Sequence, residues 1–196
     1  QNTRSMKRRS FIPLLLSTPL ALNAEASSVA ESRLRTAIGE VLAVADRVSN
    51  RSALATTVRP ILQRYVSFET MTRRAVGVGW RQFNSTQQQK ATSLFTTLVI
   101  RTYSDKFTPA EHPAITYKAA VVPAAGRVDV PTTLVYKGSH YAVTYRMEEI
   151  GGWKIADVVI EGVSLIANYR SQLDSTFKQG GAESVIRSLE QSVARP

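Results

Sequence analysis

Apolar residues recur at every third or fourth position through the first half of the chain, which is the spacing of one face of an α-helix. We therefore expect this half to be helical. The predicted helices cover residues 29–47, 52–65, 68–76 and 85–107. Ser52 is expected to cap the second of them, and Ser85 is expected to open a capping box with Gln88 at the start of the fourth.

From Ile115 onward the period of the apolar residues changes to two, which is typical of half-buried β-strands. A later run is rich in aromatic and β-branched residues, which favour strands as well. Strands are predicted at residues 115–119, 128–136, 140–147 and 153–160. A turn is expected at residues 123–126. Pro131 lies inside the second strand and predicts an edge or a bulge there, because proline has no N–H to donate to a neighbour.

The pattern returns to a helix after the last predicted strand. Gly162 breaks the strand, and Ser164 is suited to cap a helix that begins at Leu165. Gly180 and Gly181 are expected to end that helix, and a final helix follows at residues 182–194. Segregated runs of helices and strands indicate the α+β class. We predict N-terminal helices, a mostly antiparallel meander of about four strands, and C-terminal helices.

The first 26 residues have the features of an export signal. Residues 1–5 form an upstream extension, Lys7-Arg8-Arg9 is a basic start, and the apolar run that follows is too short to cross a bilayer. Ala24-Glu25-Ala26 is a small-x-small cleavage site, so the mature chain is expected to begin near Ser27. Residues 27–196 are expected to form a single domain. Sec export is the default, although Arg8-Arg9 is also compatible with a twin-arginine signal.

Composition limits the chemistry that this chain can perform. The sequence has no cysteine and only two histidines, His112 and His140, which are too few and too far apart for a histidine metal site. The full chain carries a net charge of +10, and residues 27–196 retain 21 bases against 14 acids, or +7. The bases are scattered, and nucleic-acid binding usually requires a continuous basic stripe. We therefore expect neither a metal nor a nucleic acid as a ligand.

No residue pattern indicates catalysis. The sequence lacks the nucleophile-elbow and zinc-protease motifs, and Asp157 is the one acid inside an apolar strand. In an enzyme of the steroid-isomerase type, Asp157 would serve as a general base in an apolar pocket. A buried carboxylate is costly unless it is paired, so a structural role with a nearby base or backbone N–H is favoured. We predict no catalytic residues.

Two separated motifs carry a resemblance to a known family. The first is Trp-Lys-Ile-x-Asp-Val-x-Ile-Glu-Gly-Val-Ser-Leu-x-x-Asn-Tyr-Arg-Ser-Gln, from Trp153 to Gln172. The second is Arg-Tyr-Val-Ser-Phe-Glu-Thr-Met at residues 64–71, followed by Trp-Arg-Gln-Phe at residues 80–83. In this order the motifs resemble those of the MlaC-type family, the toluene-tolerance proteins that carry phospholipids in the periplasm of Gram-negative bacteria. The resemblance extends from about Leu34 to Leu189.

The resemblance implies a periplasmic lipid carrier rather than an enzyme. Such a protein holds phospholipid tails as cargo, needs no cofactor, and serves as an auxiliary component of an ABC transporter that maintains outer-membrane lipid asymmetry. Its expected partners are an outer-membrane lipoprotein–porin complex and an inner-membrane complex of an MCE-domain protein with the ABC transporter. Some relatives are associated with hopanoid synthesis, so a polycyclic lipid is an alternative cargo.

A carrier of this kind requires a hollow apolar core, whereas the sequence pattern without the resemblance favours a solid one. Burial contributes about 0.8 kcal/mol per CH₂, so two acyl chains gain on the order of 20 kcal/mol before costs. Strand alternation and helical stripes supply the candidate lining residues. They are Leu98, Val99, Tyr103, Tyr117, Val128, Val130, Leu134, Tyr141, Val143, Tyr145, Trp153, Ile155, Ile166 and Tyr169.

Overall fold

The computed structural model describes residues 19–48, 50–106 and 112–195, and it shows the predicted α+β fold. The helices are α1 (Pro19–Ala45), α2 (Arg51–Tyr65), α3 (Phe68–Val76), a 3-10 helix (Gly77–Gln82), α4 (Ser85–Ser104) and α5 (Leu165–Ala194). Residues 1–18 of the predicted export signal lie outside the described residues. Its last eight residues form the start of α1, which therefore begins ten residues earlier than the apolar periodicity predicts.

Asparagine rather than serine caps two of the helices. The Asn50 side chain accepts the backbone N–H three residues further on at 2.8 Å, so the predicted cap at Ser52 is wrong. At α4, Asn84 accepts the N–H of Gln87 at 2.9 Å, and the Gln87 side chain accepts the N–H of Asn84 at 3.0 Å. The capping box is present but begins one residue before Ser85. Both asparagines have the extended backbone that a cap needs, and so the serines that follow are already helical.

The sheet is antiparallel throughout its named strands. These are β1 (Ala114–Tyr117), β2 (Val121–Ala124), β3 (Arg127–Tyr136), β4 (Ser139–Glu149), β5 (Trp153–Ile160) and β6 (Val163–Ser164). The order is β1-β3-β4-β5-β6, and β2 also pairs with β3. Thus β1 and β2 together make one interrupted edge. The predicted turn at residues 123–126 is wrong at its start, because β2 continues to Ala124.

The irregularity expected at Pro131 lies in the sheet edge beside β3, which β1 and β2 form. β1 ends opposite Thr132 and β2 begins opposite Asp129, so the interruption faces Pro131. The Pro131 carbonyl accepts the N–H of Lys118 at 2.9 Å, which directs the proline nitrogen toward the same edge. Because that nitrogen carries no hydrogen, regular pairing is lost at this point.

Helices cover one face of the sheet, and α1 joins the two layers. Ala30 and Leu34 of α1 pack on Val128, Val130 and Met147 at one end of the sheet. Further along α1, Ala37 packs on α2. The other helices form a core of their own around fully buried side chains such as Phe95 and Met71. No helix within the described ranges has the length and apolar character that crossing a membrane requires.

The predicted break in the C-terminal helix is confirmed. Gly180 and Gly181 interrupt α5 with non-helical backbone angles, and Gly181 has φ of 65°, which is unfavourable for residues with a Cβ. The segment before the break places Phe177 on Phe83, with ring centroids 6.1 Å apart. The segment after it returns along α4, where Arg101 donates a hydrogen bond to the Val193 carbonyl at 2.7 Å.

Candidate functional site

An apolar cavity of about 300 Å³ lies between the sheet and the helices. Among the residues that the structure describes, its wall contains no charged side chain, and only Tyr103, Ser104 and Tyr145 contribute hydroxyl groups. The lining residues are Ala37, Ile38, Val41, Leu42, Ala45, Leu54, Val58, Leu62, Val66, Phe68, Met71, Val99, Ile100, Tyr103, Ser104, Pro113, Ile115, Leu134, Val143, Tyr145, Ile155, Val158, Ile160 and Leu165. The volume is at the lower end of the range for ligand pockets, and the wall favours hydrocarbon.

The sheet side of the cavity is built from cross-strand pairs. Val143 lies directly opposite Ile160, and Tyr145 lies directly opposite Val158. Residues that face each other in an antiparallel pair share one face of the sheet, so these side chains form a continuous apolar wall. On β4 this is the face on which the period-two alternation places Val143 and Tyr145.

The same face of the sheet is solid at one end and borders the cavity at the other. Near the start of β3, Ala30 and Leu34 of α1 fill the space above Val128 and Val130, which are fully buried. Toward the β3–β4 hairpin, the lining comes from the second half of α1 and the end of α4. The position along the strand therefore decides whether an inward residue packs in a core or lines the cavity.

The structure brings six of the fourteen predicted site residues together around the cavity. They are Val99, Tyr103, Leu134, Val143, Tyr145 and Ile155. Four others, Tyr117, Val128, Val130 and Trp153, belong to the solid cluster beneath the first half of α1. Three more, Leu98, Ile166 and Tyr169, pack in the helical core. Tyr141 lies on the cavity face of β4 but is exposed beyond the cavity.

Most of the remaining wall comes from α1, α2 and α3, which the site prediction left out. Ile38, Val41 and Leu42 of α1 line the cavity, as do Leu54 and Val58 of α2. The helical apolar stripe of each segment was the available signal. A stripe predicts which face is buried, but it does not tell whether that face meets a neighbour or a cavity.

The phenol groups of the wall stay uncharged at neutral pH. Burial raises the pKa of Tyr145 to about 12, and the neighbouring Tyr117 adds to the shift. Burial also raises the pKa of Tyr103, with smaller contributions from Tyr169 and Asp157. An ionised phenol would be costly in this environment, so both side chains remain protonated and neutral.

Asp157 is buried outside the cavity wall and is fully paired. It lies opposite Arg146 in the β4–β5 pair. The Nη1 atom of Arg146 lies 3.2 Å from the Oδ2 atom of Asp157. The Ser164 hydroxyl donates to it at 2.6 Å, and the N–H groups of Val158 and Ile166 donate at 2.9 and 3.2 Å. These contacts fit the structural role, and Asp157 is not among the described residues that line the cavity.

The histidines do not form part of the site. His112 approaches Asp46 at 2.5 Å, and both side chains are about half exposed. His140 is exposed near the start of β4. No group of three potential metal ligands occurs within the ranges that the structure describes.

A second pocket is larger but chemically different. It has a volume of about 690 Å³ and lies between α2 and α4, with Arg59, Glu69 and Lys154 among its lining residues. Amide and hydroxyl side chains make up much of the rest of the lining. Because it offers little continuous apolar surface, it is a poor site for hydrocarbon, and we take the smaller apolar cavity as the functional site.

Comparison with known proteins gave a family match, matches to solved structures and one negative result. A family model described as MlaC protein matches residues 35–191. A solved structure, described as the phospholipid-binding protein from Ralstonia solanacearum in complex with a phospholipid, is 27% identical with a TM-score of 0.77. The alignment covers 84% of this chain and 97% of that chain. No curated protein matches the sequence.

Proposed function

Since this chain belongs to the MlaC family, we propose that it is a lipid carrier that holds the acyl chains of a phospholipid in the apolar cavity. The observation that carries the proposal is the cavity wall, whose described residues include three hydroxyl groups and no charged side chain. A wall of this kind retains hydrocarbon by removing it from water, and it offers no set of polar groups for a reaction.

The solved Ralstonia solanacearum protein supports the choice of cargo. It was described in complex with a phospholipid, and it shares the fold over nearly its whole length. Phospholipid tails consist of CH₂ groups, each of which gains about 0.8 kcal/mol on burial. The phosphate head group has no charged partner among the described wall residues, so we place it outside the cavity.

The family also supports the location and the partners that we propose. After removal of the export signal, the carrier would move through the periplasm between an outer-membrane lipoprotein–porin complex and an inner-membrane MCE-domain and ABC transporter complex. The cavity is suited to this task, because a carrier has only to keep the chains away from water in transit. The MlaC family is not known as an enzyme family.

Transfer between two vesicle populations tests the proposal. Delipidated protein is incubated with donor vesicles that contain a fluorescent phospholipid, separated from them by flotation, and added to unlabelled acceptor vesicles. We expect the label to float with the acceptor vesicles after the second step. A carrier of polycyclic lipids would instead leave the phospholipid behind and take up a hopanoid, and protein that takes up neither lipid would contradict the proposal.

A further inference from the structure

Two exposed apolar side chains lie on the cavity face of the sheet, just beyond the cavity. Tyr141 of β4 is 38% exposed and lies directly opposite Leu134, which lines the cavity. Val163 of β6 is 60% exposed and lies directly opposite Ile160, another lining residue. Directly paired residues share a face, so the apolar wall continues past the cavity to the surface at both points. We call Tyr141 and Val163 the rim.

Two hydrogen bonds link the segments that carry the two parts of the rim. The N–H of Glu161 donates to the carbonyl of Ala142 at 2.9 Å, and the Glu161 carboxylate accepts the N–H of Ala142. Ala142 adjoins Tyr141 in β4, and Glu161 lies in the turn that leads to Val163. Tyr141 and Val163 therefore both belong to the sheet, and their segments are hydrogen-bonded to each other.

We propose that the rim is the surface on which the protein contacts a phospholipid bilayer while lipid enters or leaves the cavity. The inference rests on the proposed function. An acyl chain that leaves the cavity along the sheet meets Leu134 and Ile160 first and then the rim. If the rim touches the bilayer, the chain passes from one apolar medium to the other without crossing water.

The size and chemistry of the rim favour a bilayer over a protein as its occupant. Two side chains fall far short of the roughly 800 Å² per partner that a stable protein interface buries. Tyrosine is enriched where hydrocarbon meets water in membranes, because its ring is apolar and its hydroxyl is polar. A shallow and reversible contact of this size suits a carrier that must detach after each exchange.

The test measures exchange with protein-free vesicles of phosphatidylethanolamine and phosphatidylglycerol that contain a self-quenched fluorescent phospholipid. The variants are Tyr141→Thr and Val163→Thr, which keep a side chain suited to strands but remove apolar surface. The control is Val121→Thr in β2, where Val121 is 56% exposed and lies opposite Asp129, away from the cavity face. Rates are expressed per mole of lipid-loaded protein, so that a change in capacity does not count as a change in rate.

We expect each rim variant to exchange lipid about fivefold or more slowly than wild type, and the double variant more slowly still. The Val121→Thr control should match wild type. Rim variants that exchange at the wild-type rate would overturn the proposal. If the rim variants exchange lipid at the wild-type rate with protein-free vesicles and lose exchange only with membranes of the native host, a protein partner occupies the rim instead of a bilayer. Wild-type protein that takes up no lipid at all would contradict the proposed function rather than the rim.

A second measurement does not depend on exchange. The Val163→Trp variant places an indole at the rim. The control, Val121→Trp, places an indole at an exposed position away from the rim. Vesicles of the same two phospholipids are prepared with brominated acyl chains and without the fluorescent lipid. On their addition, we expect the tryptophan fluorescence of the Val163→Trp protein to shift to the blue and to be quenched relative to the control. Equal spectral changes in the two variants would overturn the proposal.

Discussion

The Ser164 hydroxyl donates a hydrogen bond to Asp157 at 2.6 Å and accepts the backbone N–H of Ala167 at 3.0 Å. It thereby ties the last long strand to the first turn of α5. The same carboxylate accepts the N–H of Ile166, so two bonds connect β5 to the start of the helix. Leu165, between these residues, lines the cavity, which makes this junction part of the framework of the site.

We expect Asp157→Asn to lower the free energy of unfolding by about 1–3 kcal/mol, because an amide replaces one acceptor oxygen with a donor in a buried network. Bound lipid should be unchanged. Urea unfolding and lipid analysis check both parts. The control is Asp174→Asn, because Asp174 is partly exposed and pairs with the exposed Lys178. A stable Asp157→Asn protein that no longer holds lipid would assign Asp157 to the site.

Val143→Trp distinguishes a cavity from a solid core. In a solid core the indole would overpack and cost about 1–3 kcal/mol or more, whereas in the cavity it fills space that acyl chains would use. We therefore expect delipidated protein to keep its unfolding free energy while bound phospholipid falls. Delipidated samples are required because bound ligand raises apparent stability. Wild-type lipid content in the Val143→Trp protein would remove Val143 from the site, and Val121→Trp controls for the added surface area.

We expect the free energy of unfolding to fall in alkali because the pKa of Tyr145 is raised. Its pKa is raised to about 12 in the folded protein, from about 10 in an unfolded chain. Between these values the folded state holds a proton that the unfolded state releases, so stability is complete below about pH 10 and falls as the pH rises through about 12. At about pH 11 the loss from this group is roughly 1 kcal/mol.

Tyr145→Phe isolates that contribution from those of the other tyrosines. Urea unfolding of both proteins at about pH 8 and about pH 11 gives the change in unfolding free energy for each. Wild type should lose roughly 1 kcal/mol more than the variant. Equal losses would show that Tyr145 does not titrate from a buried state.

Sequence periodicity predicted the faces of the elements but not what covers each face. On β4, a period of two placed Tyr141, Val143, Tyr145 and Met147 together, and they do share a face. Only Val143 and Tyr145 line the cavity, because Met147 is covered by the core beneath α1 and Tyr141 extends beyond the cavity. What covers a face depends on contacts between residues far apart in the chain, which no local pattern contains.

Helix caps and breaks were predictable where a single residue determines them. Ser164 caps α5 as expected, and Gly181 breaks it with a positive φ. At α2 and α4 two good capping residues compete within three positions, and the choice of Asn50 and Asn84 was missed. The cavity walls from α1 and α2 were missed for a different reason, since an apolar helical stripe serves a core and a cavity equally well.

The export signal stays a prediction with a simple test. We expect mature protein isolated from the periplasm of the native host to begin near Ser27, as measured by intact mass. Cleavage there would shorten α1 but retain Ala30 and Leu34, which pack on the sheet. An uncleaved chain recovered from the cytoplasm would contradict both the signal and the proposed location.

Native mass spectrometry of gently purified protein tests the central claim most directly, namely that the apolar cavity holds phospholipid. The protein is isolated without detergent, its intact mass is measured, and the bound lipid is extracted and identified. The account predicts a species heavier than the chain by the mass of phospholipid, and a smaller fraction of it in Val143→Trp. Wild-type protein that carries no lipid, and that takes none up from vesicles after delipidation, would contradict the account.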